Sequence, residues 1–100
     1  MQNDIDRIYY VIILQPIESR ELTNAVIAKH VQHLRELDTD GKLVLAGPFT
    51  DHPTGMLILR CKDKDEAKSI MEHDALVLDG FRTFEIRTWL MSNRANNYMP

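Results

Sequence analysis

The sequence predicts an α+β domain in which a four-stranded antiparallel sheet carries two helices on one face. Three observations lead there. Apolar runs rich in β-branched and aromatic residues alternate with helix-periodic segments in the order strand, helix, strand, strand, helix, strand. The two central strands are separated only by the turn-rich TDHPTG, which is short enough for a hairpin. A glycine closes the first helical segment and a capping pattern opens the second.

Ile8 to Gln15, IYYVIILQ, is short, apolar and closed by Pro16, which makes it a strand. From about Arg20 to Asp38, Ile27, Val31 and Leu34 recur at helical spacing, with Gly41 as the stop. Lys42 to Phe49, KLVLAGPF, reads as a second strand ended by Gly47 and Pro48, and MLILRC as a third. HPTG between them is a turn, since Pro53 and Gly55 favour one. Asp63 with Glu66 forms a capping-box pattern before a short helix through Ala67, Ile70 and Met71. DALVLDG reads as a loop, and FRTFEIRTWLM as a fourth strand with Phe84, Ile86 and Leu90 on one face. This βαββαβ order is that of the ferredoxin-like fold. One domain is expected over residues 1–100, with its core in about 8–91 and a polar tail, 92–100, that frays rather than packs.

Strand one is apolar on both faces, yet two helices cover only one face of a sheet. The other face, led by Tyr9, Val11 and Ile13, is expected to pack against a second copy as a homodimer. A net charge of -3 argues against nucleic acid or an anionic membrane as partner. YYVIIL is too short to span a bilayer, which takes about 20 apolar residues. The acidic start MQNDIDR is unlike a signal peptide, and Cys61 stands alone, so an unprocessed cytoplasmic protein without disulfides is expected. Cys61 reads as a packed or merely exposed thiol rather than a nucleophile.

The chemistry-bearing candidates are the histidines of AKHVQHLREL. With Ile27 set at zero on a helical wheel, Val31 falls at about 40°, Leu34 at about -20° and Leu37 at about -80°. His30 then lies at about -60°, inside the stripe, and His33 at about -120°, on its rim. A chelating pair lacks further ligands at matching spacing, so no metal site is expected. On the second helix, Ala67, Ile70 and Met71 define a stripe whose next position is Asp74. If Asp74 meets His30, it fixes the tautomer and leaves the second ring nitrogen as a base or acid. On the residues alone the favoured reading is a satisfied core histidine and an aspartate that caps the following loop, because buried polar pairs commonly serve structure.

A helix with an inward histidine, an H followed by LREL, then GKLVLAGPF, a hydrophobic strand, HDALVLDGF and a final strand FEIRTW together resemble the YciI-like, or YCII-related, family over roughly Ile8 to Leu90. The family's histidine matches His30, eleven residues before Gly41, and its Asp-Pro matches Asp74, with Ala75 in place of the proline. The resemblance implies a dimeric α/β barrel with a His30–Asp74 active site in a cleft near the dimer interface. It also implies proton-transfer chemistry of the dehydrochlorinase or isomerase kind. The expected function is therefore a small-molecule lyase or isomerase using His30 as acid–base and Asp74 as its orienting partner. Arg87, Glu85 and Trp89 on strand four are candidate substrate contacts. No P-loop, G-x-G-x-x-G or G-x-S-x-G occurs, so no cofactor is implied. The alternatives are a noncatalytic ligand-binding or regulatory dimer, and a haem- or metal-dependent protein that rests only on the inward histidine.

Overall fold

The computed structural model describes residues 4–100, so the first three residues of the acidic start lie outside it. Its elements are β1 (Ile8–Pro16), α1 (Asn24–Thr39), β2 (Leu43–Pro48), β3 (Gly55–Leu59), α2 (Lys64–Glu72), α3 (Ala75–Leu78) and β4 (Arg82–Leu90). The strands form one antiparallel sheet in the order β2-β3-β1-β4, the ferredoxin-like arrangement.

Local chemistry sets the helix ends. α1 starts at Asn24, four residues later than periodicity predicts, because extended Thr23 caps it and its hydroxyl accepts the Val26 N–H at 3.1 Å. It stops where Gly41 takes φ +74, which lets the Gly41 and Lys42 N–H groups reach back to Asp38 O and Leu37 O. The capping pattern before α2 is offset by one residue. Asp63 accepts the Glu66 N–H at 2.8 Å, but the Glu66 carboxylate returns to the Lys62 N–H at 2.9 Å.

DALVLDG is not a loop. Asp74 caps a single helical turn, α3, by accepting the Leu76 N–H at 2.9 Å, and buried Leu76 anchors that turn to the core. Gly80, at φ +78, then turns the chain into β4.

Tyr10, Ile12 and Leu14 of β1 point to the helical side, with Leu57 and Leu59 of β3 beside them and Met71 of α2 above. None of the α-helices among the described residues packs on the opposite face. Tyr9, Val11 and Ile13 lie there with Ile58, beside Trp89 at 43% exposure and Leu45 at 66%.

The tail is not frayed either. Its Arg94–Asn96 turn carries a reciprocal Asn93–Asn96 cap, and Arg7, only 2% exposed, binds Met91 O, the Ser92 hydroxyl and Met99 O. A guanidinium can satisfy several carbonyls at once, so one buried arginine fastens both ends of the described chain to the sheet. No helix among the described residues is long and apolar enough to cross a membrane.

Candidate functional site: a buried carboxylate between two imidazoles

Asp74 ends the α2 segment and caps α3, which places its side chain in the crevice facing α1. It is fully buried, in a domain that also has to desolvate it. Three N–H groups meet it. His30 Nδ1 lies 2.9 Å from Oδ1 and 2.8 Å from Oδ2, His33 Nδ1 lies 2.8 Å from Oδ2, and the Leu76 N–H donates to Oδ1. Burial alone would raise the carboxyl pKa. The hydrogen bonds from His30 and His33, the His30 charge and the Leu76 amide outweigh it and hold Asp74 below its ordinary value.

An ionised carboxylate only accepts, so each facing Nδ1 carries the hydrogen. That fixes both imidazoles in the Nδ1–H tautomer when neutral and leaves each Nε2 with its lone pair. The two ring side chains are 17% and 18% exposed.

The two imidazoles open on different sides. His30 lines a cavity of about 430 Å³ between α1 and the β2–β3 hairpin. Its walls are apolar: Ile27, Val31 and Leu34 from α1 face Leu14 and Leu57 of the sheet, and Pro48 and Pro53 close the hairpin end. His33 borders a more open groove with Lys29, Glu36, His73 and Asp79.

The sequence-selected pair His30 and Asp74 is thus in direct contact. His33, placed at the rim by the wheel, shares the same carboxylate and was missed. Arg87, Glu85 and Trp89 are not brought to this site. They pair with Val11, Ile13 and Tyr9 on the helix-free face, where Arg87 and Glu85 form an exposed ion pair and Trp89 packs tilted against Tyr9. Alternation fixes this: with Phe84 and Ile86 packed on the core, residues 85, 87 and 89 point away from it. Cys61 lies apart from the cluster, and burial followed by the nearby Glu66 charge pushes its thiol pKa up, away from nucleophile chemistry. Among the described residues no group of three His, Cys, Asp or Glu side chains gathers to hold a metal ion.

Topology and cluster together define a small ferredoxin-like protein with a His–Asp–His group beside an apolar cavity. The chain belongs to the YCII-related domain family, whose model matches residues 8–90. It is 25% identical over 80 residues to the uncharacterized protein YjpA of Bacillus subtilis (strain 168), covering 80% of this chain and 94% of that one. In structure it is similar to 5-chloro-2-hydroxyhydroquinone dehydrochlorinase (TftG) of Burkholderia phenoliruptrix AC1100, solved in complex with 2,5-dihydroxybenzoquinone. The TM-score is 0.64, covering 89% of this chain and 99% of that one, at 19% identity. At that identity the likeness is one of fold.

Proposed function

We propose that this protein is a small enzyme that moves a proton on a ring-sized organic molecule held in the α1–hairpin cavity, in a lyase or isomerase reaction. The observation that carries this reading is Asp74: a fully buried carboxylate held by two imidazoles, one of which lines an apolar cavity. A carboxylate and its partners are costly to bury for structure alone, and apolar residues would fill the same crevice without that cost.

His30 is the acid–base group. With Nδ1–H bonded to Asp74, its Nε2 is the basic nitrogen offered to a ligand. Nε2 takes a proton from carbon. The electron pair left behind either expels an anionic leaving group or is reprotonated further along a conjugated system by the same imidazolium. Asp74 stabilises the imidazolium while it exists and keeps the ring oriented. The ring-sized ligand is in keeping with the dihydroxybenzoquinone bound by the dehydrochlorinase of similar fold.

The working unit is a cytosolic homodimer packed through the helix-free sheet face. Exposed Leu45 and Trp89 there, beside Tyr9, Val11 and Ile13, support it, as the lone cysteine supports a reducing compartment.

The test is a thermal-shift screen of small acids, lactones and halogenated rings on wild type and His30→Ala, followed by solvent-deuterium exchange into any ligand that stabilises only the wild type. Wild-type protein should catalyse exchange, and His30→Gln should slow it by about 10²–10⁴-fold. Exchange unaffected in His30→Gln overturns the assignment. Binding without exchange makes the cavity a noncatalytic ligand site.

A further inference from the structure

Of the side chains lining the α1–hairpin cavity, two are ionisable: His30 and Arg82. The remaining wall is apolar side chains, glycine, proline and the Thr54 hydroxyl, itself bonded to His52 Nδ1 at 2.8 Å. Arg82 begins β4, on the strand paired with the end of β1.

Its guanidinium is held through one nitrogen. Nη1 donates to Phe81 O at 2.8 Å and to Arg20 O at 3.3 Å. Arg20 is pinned in turn, its own guanidinium stacked 4.4 Å over the Phe81 ring and bonded to Asp79 O at 3.4 Å. Arg82 therefore rests on a braced part of the β1–α1 loop. Among the described residues its Nε and Nη2 keep three N–H groups with no protein acceptor, and no carboxylate pairs with it. Other cations of the domain have found one: Lys29 with Asp79, Lys42 with Glu66 and Arg87 with Glu85.

A braced guanidinium without a counter-ion, half-buried at the wall of an apolar cavity, is an anion receptor. The free Nε–Nη2 edge matches two oxygens of one planar group, and the low-dielectric wall strengthens the pairing relative to water. We propose that Arg82 binds the anionic group of the substrate, which is therefore a ring-sized organic anion: a carboxylate, or an enolate or phenolate with an adjacent oxygen. The apolar walls hold the ring, Arg82 holds its charged end, and the carbon that loses a proton lies toward His30 Nε2. A cavity of about 430 Å³ is of the size such a molecule needs. This assignment rests on the cavity being the substrate site, as proposed above, and adds the charge of what enters it.

The experiment compares acids with amides of the same shape: benzoate and 4-hydroxybenzoate against benzamide and 4-hydroxybenzamide. Affinity is measured by calorimetry, and the His30 ring signals are followed by NMR. In the wild type the acids should bind at least tenfold tighter, about 1.4 kcal/mol. Arg82→Gln should erase the preference, Arg82→Lys should restore part of it, and His30→Gln should keep it. The wild-type comparison needs no variant, so a poorly folded Arg82→Gln does not remove the test. Acids and amides bound equally while shifting His30 would overturn the anion assignment and leave the cavity site standing. If neither class binds at millimolar concentration or shifts His30, the cavity site and the anion assignment fall together.

Discussion

Replacing Asp74 by Asn changes one carboxylate oxygen into an NH₂ group and nothing else in shape. Oδ1 can keep the Leu76 N–H. The new amide faces two Nδ1–H groups that had donated to Oδ2 at 2.8 Å, and two donors cannot pair. Each imidazole must move its hydrogen to Nε2 or turn away. Two charge-assisted hydrogen bonds, about 1.5–3 kcal/mol each, are lost and one neutral bond of about 1 kcal/mol is regained, so a net loss of about 3 kcal/mol is expected. For a domain of this size that lowers Tm by roughly 10–20 °C. Urea unfolding at neutral pH measures the energy, and nitrogen-15 imidazole spectra show the predicted switch of His30 to the Nε2–H form, in which Nε2 is a donor and no longer a base. The pH dependence gives the effect its own signature. Because Asp74 has a lowered pKa in the folded state, its contribution is present above the ordinary value of 3.8 and is lost as pH falls through the folded value below it. The gap between wild type and Asp74→Asn should close over that acid range. A loss under about 0.5 kcal/mol at neutral pH, with both tautomers unchanged, would refute the reasoning.

His33→Gln removes one of the two imidazoles but leaves His30 bonded to Asp74, so it should cost about 1–2 kcal/mol in urea unfolding and far less proton-transfer activity than His30→Gln. Leu45→Glu, at a position 66% exposed in the single chain, should leave helicity intact and shift the mass seen by light scattering from two chains to one. An unchanged mass would remove the sheet face as the interface. Arg7→Met strips the guanidinium from Met91 O, Ser92 and Met99 O; a stability loss of about 2–4 kcal/mol and faster proteolysis within residues 92–100 are expected.

The fold was legible because its signals are local. A strand such as IYYVIILQ needs nothing outside itself to be recognised, and the hairpin spacing and the Gly41 stop follow from turn chemistry. The misreadings fall where a distant partner decides. ALVL is too short to show a helical period, and only the cap from Asp74 and the anchoring of Leu76 make it a helix. The tail looks like a loose terminus until Arg7, more than eighty residues earlier, supplies the donors for its carbonyls. Glu85, Arg87 and Trp89 share one face of β4 by alternation, but which face meets the cavity is a property of the whole sheet.

The histidines of α1 depend on which of two directions around one helix faces the core. A stripe of Ile27, Val31, Leu34 and Leu37, centred at about -20°, assumes that apolar residues on a helix face the core. Here Ile27, Val31 and Leu34 line the cavity, and Ile27 is 40% exposed. The residues of α1 that are fully buried are Val26 and Leu37, which fall at about -100° and -80° on the same wheel. The true inward direction is therefore near -90°, with His30 about 30° to one side and His33 about 30° to the other. On that axis the two imidazoles flank the buried line symmetrically, so a single acceptor beneath it meets both. The apolar stripe and the buried stripe of α1 differ by some 60–80°, so the apolar stripe forms the cavity wall, with His30 between the two. An amphipathic helix whose apolar face is wider than its core can absorb has surface left over for a ligand, and the polar residues between its two stripes are the ones such a ligand would meet.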